Sequence, residues 1–326
     1  MLTTTHEVSV KGKRKKVPAF RLDDVIIVTK GTFVRVAEIF DEYWLKADTL
    51  PDPLHVLHRL RGAHRKPDLF TFAQQVPDIE PRFDFHMEWD NVAVIPVSSY
   101  DDWFRGQISS ASRRNIRASE KRGVVVKAVE FDERYVQGIM SIYNESAIRH
   151  GRKYWHYGKD FATVQAENAT YRDRSTFLGA YFQDELIGYM KIVWDTRSAA
   201  IMQMLSKMEF LEKRPNNALL SEAVRLCTER RVDHLLYERF VYGDKVDSSL
   251  TRFKESNGFV RMDLPRYFVP LNRKGSMCLR LGLHRDQKER LPQWLRRRLL
   301  DIRGKCYARR VGGDRQRAEG RGRGAA

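Results

Sequence analysis

The pattern of apolar and polar residues between about 100 and 151 predicts a helix, a strand and a second helix. The polar segment "SSASRRNIRASEKRG" is typical of a helix that begins at a capping Ser109 or Ser110 and ends at Gly123. The β-branched "VVVKAV" then predicts a strand. Asp132 is placed to cap a helix that is predicted to end at Gly151. Its apolar face is Val136, Ile139, Met140, Tyr143 and Ala147.

A short helix over about 159–171 and three strands are predicted next. "TFLGAYF" and "ELIGYMKIVW" flank the polar pair "QD", which favours a hairpin, and "AAIMQMLS" follows as a third strand. Pro215 stands at a favourable first-turn position for a helix through Arg231. The strand "HLLYERFVY", a helix over about 246–257 that ends before Gly258, and the strand "RYFVPL" complete the order.

This order defines the fold class as α/β with a mixed sheet. The three consecutive strands form an antiparallel meander, and the unit from "AAIMQMLS" to "HLLYERFVY" is a right-handed parallel crossover. Helices are expected on both faces of the sheet. Residues 17–97 contain the strand-like "AFRLDDVIIVT" and "NVAVIPV" with the helix-like "PLHVLHRLRG" between them.

The net charge of +17 is concentrated at the two ends of the chain. Residues 285–326 carry a net +9 and the run "KGKRKK" carries +5, which leaves +3 for everything else. The folded part is therefore nearly balanced, which counts against a nucleic-acid-binding module. A basic C-terminal helix and disordered tail are predicted over 285–326. The tail is either simply solvated or in contact with tRNA or an anionic surface.

The cysteines and the N-terminus predict a soluble, cytoplasmic protein. Cys227, Cys278 and Cys306 are far apart in sequence and show no metal-ligand spacing, so neither disulfides nor a metal are expected. The start "MLTTTHEVSV" has no hydrophobic signal core, and no apolar run approaches the roughly 18 residues of a membrane span.

Three stretches resemble the Fem-like branch of the GNAT superfamily of acyltransferases. They are "SRRNIRASEKRGVVV", "FLGAYFQDELIGYMKIVW" and "LTRFKESNGF", and the resemblance covers about residues 100–271. It implies a GNAT-like acyltransferase domain over 98–284. Because members of this branch often carry two GNAT-like halves, it also implies a degenerate first half over 17–97, after a basic flexible N-terminus over 1–16.

The resemblance implies a donor site at the start of the helix after the meander. GNAT enzymes that use acyl-CoA hold its pyrophosphate there on backbone N–H groups, usually in a glycine-rich turn. The corresponding "LEKRPNNALL" has no glycine, although Lys213, Arg214, Asn216 and Asn217 offer charge and side-chain donors. A plain helix start is the alternative. Aminoacyl-tRNA, the donor of characterised Fem-like members, is the other donor considered.

The resemblance also points to three residues near the acyl group. Tyr242 follows the second parallel strand, where a tyrosine often protonates the leaving group, or else it is an ordinary strand-end tyrosine. Gln203 either lines the acceptor groove or faces solvent, with Met202 and Met204 pointing the other way. Lys254 either contacts donor phosphate or lies on a solvated helix face.

The segment "RHGRKYWHYGKD", residues 149–160, combines cations, rings and histidines. In a GNAT fold this connection forms a wall of the acceptor site, which implies that Arg149, Tyr154, Trp155 and Tyr157 bind the acceptor. His156 is the candidate base, because its cationic neighbours keep an imidazole neutral. A local core cluster is the alternative.

These observations favour an N-acyl- or aminoacyltransferase that forms an amide on an amine-bearing acceptor, such as a cell-wall or surface-polymer precursor. Two alternatives stay open. One is a non-catalytic protein that binds RNA or another polyanion, and the other is a GNAT scaffold without activity.

Overall fold

The chain divides into two compact units, and most contacts of each unit are made within that unit. The computed structural model describes residues 4–10, 13–63, 66–149, 151–243 and 248–285. The first unit comprises residues 1–130 and 171–285, and the second comprises 131–170 and 286–326. The predicted tail over 286–326 and residues 11 and 12 of the basic run lie outside the described residues. The expectation of a flexible N-terminus over 1–16 is wrong for the described part, because residues 4–10 and 13–16 belong to strands.

Twelve strands of the described residues form one mixed sheet in the first unit. Its order is β1-β2-β3-β4-β5-β14-β6-β13-β12-β11-β10-β7. The strands are β1 Thr4–Val10, β2 Lys13–Leu22, β3 Val25–Lys30, β4 Val36–Ile39, β5 Leu69–Ala73, β6 His86–Pro96, β7 Val125–Val129, β10 Ser175–Phe182, β11 Glu185–Trp194, β12 Ser198–Ser206, β13 His234–Leu236 and β14 Val260–Pro270. The second unit holds a two-stranded hairpin, β8 Ile148–Arg149 and β9 Arg152–Lys153.

Eight α-helices are described. They are α1 Pro53–Arg61, α2 Tyr100–Asp102, α3 Ser110–Lys121, α4 Glu133–Asn144, α5 Phe161–Asn168, α6 Pro215–Glu229, α7 Ser249–Ser256 and α8 Arg273–Arg280. A π-helical turn, Trp103–Gln107, follows α2 directly. Short 3-10 turns occupy Glu42–Trp44, Ala47–Thr49, Arg172–Arg174 and Leu211–Lys213.

The predicted meander and crossover are confirmed. β10, β11 and β12 pair antiparallel in succession, and Gln183 and Asp184 both take the left-handed conformation of a tight two-residue turn. α6 then leads from β12 to β13, which pairs with β12 in parallel. Gly188 of β11 lets α6 approach closely, since an added Cβ would lie 3.2 Å from Cβ of Pro215.

The same connectivity occurs a second time nearer the N-terminus. β2, β3 and β4 form an antiparallel meander, α1 follows, and β5 pairs with β4 in parallel. The two regions share the centre of the sheet, because β6 pairs with β13 and β14 pairs with β5. The assignment of residues 17–97 as a degenerate GNAT-like first half stays a prediction.

Side-chain caps fix where the helices begin. The Ser109 hydroxyl accepts a hydrogen bond from the Ser112 amide (3.1 Å) at the start of α3, and Asp132 accepts one from the Tyr135 amide (2.7 Å) at the start of α4. Gly123 follows α3 at φ +78°, as its predicted capping role requires. The predicted end of the next helix at Gly151 is wrong, because α4 ends at Asn144 and Gly151 lies between β8 and β9.

The predicted strand "HLLYERFVY" is also shorter than expected. Only its first three residues, His234–Leu236, form β13. The helix predicted from residue 246 is described from Ser249 to Ser256, and residues 244–247 lie outside the described part. The early end of β13 matters because the next residues form the candidate site.

Candidate active site

The parallel strands β12 and β13 separate partway along their length. Three residue pairs join them, Ser198–Ala200 with His234–Leu236, whereas β12 continues to Ser206. β13 also pairs with β6 on its other side, and after Leu236 only that pairing continues, with the Tyr237 amide donating to the Ala93 carbonyl (2.9 Å). A wedge therefore opens between residues 201–206 and residues 237–242.

A β-bulge forms directly after β13, where the chain separates from β12. The Ala93 amide donates to the carbonyl of Glu238 (2.8 Å), so two residues, Tyr237 and Glu238, lie opposite one. Glu238 has φ +45°, in the left-handed region. This bulge directs the Tyr237 carbonyl away from β6 and makes it available to a side chain.

Lys254 of α7 uses that carbonyl. Its Nζ donates to the Tyr237 carbonyl at 2.7 Å and to the Arg239 carbonyl at 2.6 Å, and its side chain is completely buried. The predicted contact of Lys254 with donor phosphate and the alternative of a solvated helix face are therefore both wrong, since the bulge supplies carbonyls that the ammonium group binds inside the protein. Burial lowers the pKa of Lys254 to about 8, and the negative charge of Glu238 opposes that shift.

Tyr242 lies six residues after the end of β13, and it contacts Glu238. Its hydroxyl donates to Glu238 Oε2, and its ring centroid lies 5.2 Å from Lys254 Nζ. Burial and then the Glu238 carboxylate raise the pKa of Tyr242, so the phenol keeps its proton at neutral pH. Glu238 itself is exposed. A half-buried proton donor thus lies beside an accessible carboxylate.

A second set of charges anchors the other side of this segment. Arg239 Nη2 lies 3.4 Å from Asp90 Oδ2, and the Val241 amide donates to Asn91 Oδ1 at 2.7 Å. Asp90 also accepts bonds from Tyr43 (2.5 Å) and Arg266 (3.1 Å). Burial alone would raise the pKa of Asp90, but Arg239, Tyr43 and Arg266 together lower it. The ionised Asp90 therefore fixes residues 239–241 against β6 and β14.

Gln203 lies on β12 beside the wedge. It pairs with Lys191 of β11, but the next pair joins Ile192 and Ile201, so Met202 is an extra residue in the ladder. The bulge interrupts the alternation assumed for Met202, and the direction expected for the two methionines stays a prediction. Gln203 is half-buried, and its role toward an acceptor stays a prediction.

The start of α6 offers few free donors. Pro215 has no N–H, and the amides of Asn217 and Ala218 both donate to the Arg214 carbonyl, at 3.1 Å and 3.3 Å. In the first turn this leaves the Asn216 amide for a ligand. Arg214 is exposed at φ +59°, a conformation that glycine adopts more easily.

The other predicted donor-binding residues at this helix start have partners in the protein. Lys213 Nζ lies 3.7 Å from the centroid of the Phe182 ring, and the Asn217 amide group donates to Asn257 Oδ1 at 3.0 Å. Asn257 in turn accepts a bond at its carbonyl from Trp103 Nε1 (3.0 Å). These bonds attach α6 to the end of α7, which carries Lys254.

The loop of the second unit contains both packed and exposed side chains. His156 lies 4.2 Å from the Tyr143 ring and 5.2 Å from the Tyr154 ring, and Lys159 Nζ lies 3.3 Å from its Nδ1. Burial, helped by Lys159 and Arg149, lowers the pKa of His156 to about 3. The predicted neutral imidazole agrees with this direction, but so low a pKa makes a weak base at neutral pH.

The four predicted acceptor-binding residues of this loop divide into two groups. Tyr154 is buried, with the Arg149 guanidinium 4.3 Å from its ring centroid, and Arg149 also pairs with Glu145 at 3.0 Å. Trp155 and Tyr157 are 56% and 46% exposed. The alternative of a local core cluster therefore holds for Tyr154 and Arg149, whereas the rings of Trp155 and Tyr157 are exposed to solvent.

Glu238 and Asp90 were not among the site residues predicted from the sequence. Glu238 and Arg239 lie side by side inside "HLLYERFVY", which otherwise has an apolar pattern. Two adjacent charges in such a stretch are a signal for a bulge, because simple alternation would bury one of them. Asp90 has no comparable local signal.

Comparison with known proteins identifies the fold. No protein-family model matches the chain, and no curated protein sequence matches it. L-PGS from Bacillus licheniformis is similar at a TM-score of 0.53 and 14% identity, over 82% of this chain and 90% of that one. FemX is similar at a TM-score of 0.50 and 10% identity, over 86% and 90%.

A third similar structure agrees with these two. It is the C-terminal DUF2156 domain of an Agrobacterium fabrum protein assigned as a lysylphosphatidylglycerol synthetase, with a TM-score of 0.54, 10% identity, and coverage of 82% of this chain and 88% of that one. The chain therefore has a GNAT-like mixed α/β fold. Among the described residues, no helix combines the length and apolarity that crossing a membrane requires.

Alanine substitutions should separate the packed rings of the second unit from the exposed ones. Tyr154→Ala should lower the free energy of unfolding by about 3–5 kcal/mol, because it removes a buried aromatic ring. Trp155→Ala should change it by no more than about 0.5 kcal/mol, since most of its ring is already in water. Urea denaturation followed by circular dichroism measures both, and equal losses would contradict this division.

Lys254 should make stability depend on alkaline pH. Its pKa is about 8 in the folded protein and 10.5 ordinarily, so the unfolded chain binds more protons between these values. The free energy of unfolding of the wild type, relative to Lys254→Met, should therefore rise with pH across this window, by at most about 1.4 kcal/mol per pH unit. Urea titrations from pH 7.5 to 10 measure the difference. Exposed Lys121→Met controls for the lost charge, and a constant difference for Lys254→Met would contradict the assignment.

Proposed function

We propose that the protein transfers an acyl or aminoacyl group to an amine-bearing acceptor, in the manner of the Fem-like branch. The observation that carries this proposal is the wedge between β12 and β13, which holds Tyr242, Glu238 and Lys254 together. A carbonyl group in such a wedge lies against strand backbone, where N–H groups stabilise a developing oxyanion. The three clustered polar groups favour catalysis over an inactive scaffold or a simple polyanion-binding module.

Glu238 and Tyr242 together provide a complete proton route. The attacking amine nitrogen bonds to the acyl carbon and gives its proton to the Glu238 carboxylate. Once protonated, Glu238 carries an O–H group and can donate a hydrogen bond to the Tyr242 oxygen, which frees the Tyr242 proton. Tyr242 then gives its proton to the leaving atom as the bond to the acyl carbon breaks. Glu238 returns its proton to the Tyr242 oxygen, and both residues regain their starting states.

Lys254 acts in this proposal as a positioning residue. Its two hydrogen bonds hold the carbonyls on either side of Glu238, so the backbone of the bulge keeps one shape. The ammonium group also lies close enough to Glu238 for their charges to interact. Trp155 and Tyr157 remain the proposed acceptor-binding residues of the second unit, on the resemblance and on their exposure.

We propose aminoacyl-tRNA rather than acyl-CoA as the donor. A pyrophosphate cradle uses several backbone N–H groups at a helix start. The first turn of α6 offers the Asn216 amide alone, because Pro215 lacks an N–H and the Asn217 amide is already bonded. Lys213 and Arg214 remain candidate contacts for a phosphate backbone.

Removing either member of the proton route should slow turnover. Tyr242→Phe and Glu238→Gln should each lower kcat by about 10²–10⁴-fold with little change in donor affinity. The double variant should lose little more than either single variant, since the two residues serve one route. The rate is measured as transfer from radiolabelled donor to a panel of primary amines.

Tyr100→Phe is the matched control for the tyrosine change. It removes a hydroxyl that bonds to Ser221 (2.8 Å), away from the wedge, and should leave kcat unchanged. Unchanged turnover in Tyr242→Phe and Glu238→Gln, with a normal melting temperature, would refute the assignment.

The donor proposal predicts opposite results with the two donors. Aminoacyl-tRNA should support transfer, and uncharged tRNA should inhibit it competitively. Acetyl-CoA should not be turned over, and free CoA should not compete. Saturable acetyl-CoA binding by calorimetry, together with acetyl transfer, would reverse the assignment.

A further inference from the structure

Three metal-ligating side chains converge at the end of α8, away from the wedge. His86 and Glu88 lie two residues apart on β6, so their side chains project from the same face of the strand. His284 follows α8, 196 residues after Glu88. Their candidate ligand atoms all lie within 4.8 Å of one another.

The individual distances define the cluster further. His284 Nε2 lies 2.7 Å from Glu88 Oε1, and His86 Nε2 lies 3.5 Å from the same oxygen. Ligands bound to zinc at about 2.0–2.2 Å lie roughly 3–3.5 Å from one another in a tetrahedral site. The side chains therefore need to shift by no more than about 1 Å to bind one ion.

The ligands differ in how firmly they are held. The His284 side chain is 1% exposed, and its ring centroid lies 4.6 Å from that of Phe268 on β14. The His86 and Glu88 side chains are 44% and 27% exposed, and His86 lines an open groove together with Arg280 and Leu281. One fixed imidazole and two accessible ligands allow an ion to enter from solvent.

Arg285 competes with a cation at this place. Its guanidinium lies 2.9 Å from Glu88 Oε1, and its side chain is 56% exposed. Burial alone would raise the pKa of Glu88, but hydrogen bonds from His284 and Arg285 lower it, so the carboxylate is charged. Because Arg285 is mostly in water, it can move aside when an ion binds.

We propose that His86, Glu88 and His284 form a binding site for a divalent transition-metal ion of the zinc type. Two imidazole nitrogens and one carboxylate oxygen are a ligand set that suits Zn²⁺ and leaves a fourth position open to the groove. The bound ion links the turn after α8 to β6. This site is independent of the proposed transfer reaction, and no spacing in the sequence indicated it.

The experiment is a Zn²⁺ titration of the full-length protein after treatment with a chelator, using a chromophoric competitor. The wild type should bind one ion that His86→Ala and Glu88→Gln lose, or bind at least about tenfold more weakly. His58→Ala, which removes a histidine on the exposed end of α1, should leave this ion in place. Both ligand variants change accessible side chains, so their folding is checked by circular dichroism.

Arg285→Ala gives a second and opposite readout. If Arg285 competes with the ion for Glu88, its removal should strengthen Zn²⁺ binding, whereas a hydrogen-bonded cluster without a metal site would show no change. Zn²⁺ should also raise the melting temperature of the wild type and of Arg285→Ala, but not that of Glu88→Gln. Equal zinc stoichiometry and affinity in the wild type, His86→Ala and Glu88→Gln would overturn the proposal.

Discussion

The buried ammonium group of Lys254 is the interaction on which the candidate site depends. It binds the carbonyls of residues 237 and 239, which the sheet leaves unpaired where β13 ends. Buried carbonyls without a partner are costly, and so is a buried charge without hydrogen bonds. Each therefore satisfies the other, and the wedge between β12 and β13 can stay open without unpaired backbone groups at these two positions.

The segment from Tyr237 to Tyr242 is held from two sides by opposite charges. Lys254 contacts it from α7, and Asp90 contacts it through Arg239 from β6. Between these anchors, Glu238 takes a left-handed conformation and projects into solvent. A residue in that conformation persists when its surroundings determine it, which agrees with a role in which the carboxylate must hold one position.

The same contacts connect the wedge to the start of α6. Asn217 of α6 bonds to Asn257, and the Asn257 carbonyl accepts a bond from Trp103. Gly258 follows at φ +85°, and an added Cβ there would lie 3.1 Å from Trp103 Nε1. Asn217 at the helix start thus contributes to packing, and the Asn216 amide, Lys213 and Arg214 remain the proposed donor contacts of this turn.

Local pattern was sufficient for the hairpin at Gln183–Asp184, the meander, the crossover through α6, and the caps at Ser109 and Asp132. Those features depend on residues close in sequence, whose periodicity and hydrogen-bonding groups act on their own backbone. The burial of Lys254, the extra residue at Met202 and the cluster of His86, Glu88 and His284 were not predictable in this way. The cluster joins β6 to a histidine that lies 196 residues after Glu88, and the carbonyls that bind Lys254 belong to a bulge that forms against Ala93 of β6. Only the tertiary structure determines such pairings, because a charged side chain is buried or exposed according to the partners that distant segments supply.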